Sequence, residues 1–218
     1  MERSGHILSE DQLAAGALRI RGRSSQLLED LALYYILFAT GARPLEIARL
    51  EVRDYLDANG CVRVASEFRS EIAINGRPRP LFFRSRRLDD ALYAYLSERV
   101  ADRFTLGADD NYRGLHPTSR LFLSSSGQGF EITRHEANGQ KQFQCRGILE
   151  TYRKIFRYAG FENMTALRAR RTVVAKLYAR GADEAQVGLL LGIAEPSAVR
   201  AQFPRDNPTL EALVVNLI

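Results

Sequence analysis

The stretch Phe38-Ala39-Thr40-Gly41-Ala42-Arg43-Pro44-Leu45-Glu46-Ile47-Ala48-Arg49-Leu50 decides how the rest of the chain is read. Ahead of it, Leu27 to Ala39 is nearly all Leu, Ala, Tyr, Ile and Phe, which predicts a helix apolar on most sides and packed through the domain centre. Gly41 ends that helix, because glycine adopts the left-handed conformation without a side-chain clash. Pro44 suits the first turn of a new helix, where its missing N–H is not needed, and Glu46 places a negative charge at that positive end. Arg43 is thereby held at a tight corner between two helices. There it pairs with Glu46 or caps the carbonyls of the first helix, or else it offers a planar, always-charged fork to a phosphate oxygen.

Composition narrows the classes. The 218 residues are 45% hydrophobic and 26% charged, which suits a single domain, residues 1–218, with its own core. Cys61 and Cys145 are the only cysteines, and His6, His116 and His135 lie in polar stretches without ligand spacing. Neither a disulfide framework, a metal site nor a cofactor is expected. The first residues lack the apolar core of a signal peptide, and the longest apolar run, Leu31 to Ala39, is too short to span a bilayer, so a cytoplasmic protein is expected. Net charge is +5, and all but Lys141, Lys154 and Lys176 of the 31 basic side chains are arginine. Arginine is the usual choice for phosphate recognition, although a GC-rich genome produces the same bias.

In chain order, Ser9-Glu10-Asp11-Gln12 reads as a capping box opening a short helix through Leu18, and Arg19 to Arg23 as a basic connector. Cys61 to Ala65, Glu71 to Ile74 and Arg79 to Phe83 predict a three-stranded antiparallel sheet on one edge, with Asn75-Gly76 as its hairpin turn and Arg77 and Arg79 just after the tip. Pro78 and Pro80 make the last strand an edge. Leu88 to Val100 is helical, and Phe104 to Arg120 and Ser124 to Gly139 read as loops around a short buried run, Leu121 to Leu123. Further helices are predicted from Arg146 to Ala159, Thr165 to Arg180, Asp183 to Leu191 and Pro196 to Phe203, with a last apolar helix at 208–218. The fold class is α+β, mainly helical. On the helix from Thr165, positions 168, 171, 172 and 175 share a face, so Arg168 and Arg171 form either a solvated charged face or one that approaches a phosphate backbone.

Taken together, these segments resemble the tyrosine recombinases, or phage-type integrases. Thr40-Gly41-Ala42-Arg43-Pro44-Leu45-Glu46 is similar to their first arginine box, Ala166-Leu167-Arg168 to their second, and Leu189-Leu190-Leu191-Gly192 to the helix end that follows. The resemblance covers Ser9 to Phe203 and implies the catalytic-domain fold, with double-stranded DNA as partner. It also implies two arginines clamping a phosphate, a hairpin lysine and His-type residues handling protons, and a tyrosine that attacks phosphorus.

Carried over residue by residue, Arg43 and Arg168 match the clamp and Glu46 the acidic residue beside the first arginine. Elsewhere the pattern is broken. Ile74 stands where the lysine is expected, leaving Arg69, Arg77 or Arg79 to supply charge; Thr165, Ala169 and Ile193 replace the proton-handling residues; Phe203 stands at the nucleophile position. A phenyl ring has no oxygen to attack phosphorus, and the tyrosine nearest in sequence, Tyr178, reads as core. The expectation is a DNA-binding protein that no longer cuts, regulating integration, recombination or transcription of a mobile element. Its alternatives are an active recombinase with an atypical nucleophile, or a module contacting itself or a recombinase through the C-terminal helix. The N-terminal core-binding domain of relatives has no counterpart in residues 1–23, so either the sequence is a trimmed piece of a longer chain or binding is to one face of the duplex.

Overall fold

The computed structural model describes residues 7–137 and 140–204. The N-terminal helix α1 (Glu10–Arg23) opens with the expected capping box, Ser9 Oγ accepting from Gln12 N–H and Gln12 Oε1 from Ser9 N–H. It runs five residues beyond the expected Leu18, through the stretch read as a connector. The reason is tertiary: Arg19 and Arg23 donate to Ala159 O and Tyr158 O, capping the end of α6 (Arg146–Ala159).

At the centre lies α2 (Leu27–Thr40), with Leu31 to Tyr34, Ile36 and Leu37 buried, as its uniformly apolar sequence requires. It packs against α1, α5 (Arg86–Ala101), α6 and α7 (Ala166–Ala179). Two buried phenols fix these contacts by donating to main-chain carbonyls, Tyr34 to Leu13 O and Tyr152 to Leu33 O. A smaller apolar cluster, Val174, Tyr178, Val187, Leu191, Val199 and Phe203, joins α7 to α8 (Glu184–Leu191) and α9 (Pro196–Gln202).

The short helices α3 (Pro44–Arg49) and α4 (Val52–Tyr55) follow α2. The predicted three-stranded sheet is replaced, among the described residues, by two separate antiparallel pairs. In the first, β1 (Ala65–Phe68) pairs with β2 (Arg79–Phe82). Glu71 to Ile74 is not a strand: Arg69 O accepts from both Ile72 and Ala73 N–H, and this turn puts two consecutive apolar side chains into the core. Cys61 to Val64 contributes only a bridge, Leu56 to Val62, and one bond from Phe83 N–H to Val64 O. In the second pair, β3 (Thr133–Ala137) lies in the segment expected to be a loop, and its partner β4 (Gln140–Gln144) in residues for which no element was expected. The apolar segment 208–218 lies outside the described residues. No described helix is long and apolar enough to cross a membrane.

Candidate nucleic-acid interface

Gly41 closes α2 with φ of 63°, donating to Leu37 O. A Cβ there would also come within 2.7 Å of Leu191 Cδ2, so the corner needs glycine for both its conformation and its packing against α8. Arg43 then precedes α3 in extended conformation, and Pro44 starts the helix as expected.

Glu46 is fully buried, and an unpartnered carboxylate there would cost several kcal/mol. It is met from three sides. Arg79 donates bidentately, Nη1 to Oε1 at 2.9 Å and Nη2 to Oε2 at 2.7 Å; the main-chain N–H of Arg43 reaches Oε2 at 2.9 Å; and that of Ile74 reaches Oε1 at 3.4 Å. The Arg43 guanidinium lies 3.6 Å from Oε1 and remains partly exposed. Arg43 thus leans on Glu46, as the first reading has it, while part of its side chain stays exposed.

Arg79 was expected at the DNA, and its surroundings place it elsewhere. It is 4% exposed, its guanidinium stacks 4.0 Å from the Phe68 ring, and its Nε donates to Leu190 O at the end of α8. Gly192, with φ of 68°, leaves the room: a Cβ would sit 3.2 Å from the Arg79 guanidinium. Arg69 is likewise engaged, with Asp54 and Glu51, and hydrogen bonding to Asp54 raises its affinity for its proton. Of the three arginines considered as replacements for the hairpin lysine, Arg77 alone is exposed without an ion pair among the described residues.

The second guanidinium beside Arg43 is Arg170, a residue the sequence reading passed over. Arg168 lies near the start of α7, where its Nη1 donates to Asn163 O at 2.6 Å, and Thr165 caps the helix by accepting from Arg168 N–H. Two residues on, Arg170 is 4% exposed, donates from Nη2 to Leu191 O at 3.0 Å, and has an Nε without a hydrogen-bond partner among the described residues. Burial and then Arg43 push its pKa down to about 10, with Arg79 adding to the effect and Glu46 opposing it. The signal was in the periodicity: Ala169, Arg170, Val173 and Val174 are the buried positions of this helix, so an arginine stands in an inward row. Arg171 is half-buried, and Thr172 is buried, accepting from Leu8 N–H, so the face formed by 168, 171, 172 and 175 is not one exposed surface.

Arg43 and Arg170 line one groove of about 300 Å³, shared with Ile74, Phe143, Gln144 and Leu167. Arg168 is not among its lining residues. One buried carboxylate thus faces three guanidiniums, Arg43, Arg79 and Arg170, leaving an excess of positive charge that an anion would neutralise. A larger cleft, about 510 Å³ between α1, α2 and α7, has a basic rim at Arg84, Arg86 and Arg87, but these are exposed and none is buried against a second cation.

Of the positions read as replaced, Thr165 is the exposed N-cap of α7. Ile74 is exposed at the groove, Ala169 is fully buried, and Ile193 packs on the cluster below α7. Phe203 is 3% exposed in that cluster, with the Arg170 guanidinium 6.0 Å from its ring. Tyr178 is buried in the same cluster.

No family model matches the chain, and no curated protein matches it. Its fold is similar to several solved structures. A XerA recombinase is 21% identical with a TM-score of 0.63, over 94% of this chain and 62% of that one. The XerH site-specific recombinase bound to its difH substrate, in a pre-cleavage complex, is 20% identical with a TM-score of 0.63, over 96% and 53%. The Tn1549 transposon integrase in complex with transposon right end DNA is 15% identical with a TM-score of 0.52, over 94% and 64%. This chain therefore spans between about half and two thirds of the length of these proteins. At such identities the likeness shows the fold, a mainly helical α+β domain of the recombinase type.

Proposed function

We propose that this chain binds duplex DNA on the groove of Arg43 and Arg170 and does not cleave the strand it holds. The observation that carries this reading is the pairing of a partly exposed Arg43 with a buried Arg170 that lacks a full set of partners, beside Phe203. Two guanidiniums at one groove suit the non-bridging oxygens of a phosphodiester. Ile74, Ala169, Ile193 and Phe203 have no group that takes or gives a proton, and the Thr165 hydroxyl is engaged as the cap of α7, which supports a grip without cleavage. The fold shared with recombinases solved on DNA supports the choice of partner. The role drawn from this is regulatory, a protein that occupies or bridges recombination sites without exchanging strands.

Titration of a fluorescent duplex at several salt concentrations tests it. Log affinity should fall by roughly 0.9 per contacted phosphate for each decade of salt. The Arg43→Ala/Arg170→Met variant should bind at least about 100-fold more weakly, since each charged hydrogen-bonding group is worth about 1.5–3 kcal/mol. Salt-independent binding, or unchanged affinity of the double variant, overturns the proposal.

A further inference from the structure

The hairpin of β3 and β4 is not explained by the core, and it rises from the edge of the groove. Its last residues, Phe143 and Gln144, line that groove together with Arg43 and Arg170. In its antiparallel register Arg134 opposes Phe143, Thr133 opposes Gln144, and His135 opposes Gln142. Opposed residues share a face of the ribbon, and successive residues alternate between faces.

The two faces differ in chemistry. One carries Phe143, whose ring lies 4.9 Å from the Arg49 guanidinium, and the Arg134–Glu136 pair at 3.7 Å, with Lys141 at the register position opposite Glu136, so it is tied to the body of the domain and has one basic residue more than acidic. The other carries Thr133, His135, Gln142 and Gln144. The first three are exposed, and the side chains of His135 and Gln142 make no hydrogen bond with a described residue. Among its described side chains this face has no charge with which to hold phosphate and no apolar surface to bury. What it offers is a set of groups that both donate and accept hydrogen bonds.

We infer that this face of the hairpin reads base edges in the major groove next to the phosphate held by Arg43 and Arg170. The inference rests on the DNA-binding reading above. A two-stranded ribbon fits the major groove, where glutamine pairs bidentately with adenine and threonine meets either base edges or a thymine methyl. Five residues of strand extend about 17 Å, enough to pass several base pairs. The arginines position the protein on the backbone without sequence information, and the hairpin supplies the preference.

The test is selection from a randomised duplex library by the full chain and by its His135→Ala/Gln142→Ala variant, with bulk affinity for unselected duplex measured alongside. The intact chain should enrich a short motif. The variant should keep bulk affinity within about threefold while losing preference by roughly tenfold at two or more positions of the motif. Both substitutions are on exposed residues, and an unchanged melting temperature confirms that the fold is intact. Recovery of the same motif by the variant, or absence of any motif from a wild type that binds DNA, overturns the inference. Failure of the wild type to retain duplex at all overturns the DNA-binding reading instead.

Discussion

Replacing Arg170 with methionine should separate binding from stability, because this arginine is held at a cost in the free protein. The fall of its pKa to about 10 through burial and the nearby Arg43 corresponds to roughly 3 kcal/mol, at 1.36 kcal/mol per pH unit, that the charged form gives up on folding. Methionine relieves that cost and fills similar volume beside Phe203. Against it stands the loss of the bond from Nη2 to Leu191 O, about 1.5–3 kcal/mol for a charged donor. The two nearly cancel, so the melting temperature should move by no more than about 4 °C in either direction, at roughly 2–4 °C per kcal/mol for a domain of this size. Affinity for duplex DNA should meanwhile fall by roughly 10- to 100-fold, the loss expected for one charged contact to phosphate. Differential scanning fluorimetry and anisotropy titration on the same preparation give both numbers. A melting temperature lowered by about 10 °C with unchanged DNA affinity would refute the reasoning, since Arg170 would then be a helix cap and nothing more.

Arg79→Met should behave in the opposite way: it strands the buried Glu46 carboxylate, costs about 3–5 kcal/mol, and lowers the melting temperature by about 10 °C in the same thermal scan. Phe203→Tyr should not create a nuclease, because Ile74, Ala169 and Ile193 remain apolar and the Thr165 hydroxyl stays in its helix cap; incubation with a nicked duplex should yield no covalent adduct, and the hydroxyl placed in the α7–α9 cluster should destabilise by about 1–3 kcal/mol. Glu29 predicts a pH dependence. Burial and then Asp30 raise its pKa from 4.5 to about 7, with Lys154 opposing and Glu98 adding, so between these values the folded state holds the proton more tightly than the unfolded one. Stability should therefore fall as pH rises through that window and stay low above it, and Glu29→Gln should flatten the profile by about 1–3 kcal/mol in urea melts at pH 5 and pH 8.

The helical frame was legible because local chemistry and burial agree there. Leu27 to Thr40 is apolar on every side and lies at the centre, Gly41 has the conformation that ended the helix, and Ser9 and Asp183 cap α1 and α8 as their spacing to Gln12 and Gln186 suggested. Features decided by distant partners were not. The length of α1 depends on Arg19 and Arg23 reaching the carbonyls of α6, and the burial of Arg79 depends on Glu46, 33 residues away. The β3–β4 hairpin carries the Asn138-Gly139 turn signal in its sequence, yet its strands are polar on both faces and show no alternation to accompany it. Arg170 was hidden by its neighbour. Ala166-Leu167-Arg168 matches a short motif, whereas the inward row of Ala169, Arg170, Val173 and Val174 identifies the buried arginine only when the helix is read by its period.

A suicide duplex carrying a nick near the bound phosphate, incubated with the protein and split between a native and a denaturing gel, confronts the central claim most directly. Retention of the duplex on the native gel at low salt, with all of the DNA running free after denaturation, is the predicted result. A protein–DNA adduct that survives denaturation, or a duplex that is never retained, would contradict the account.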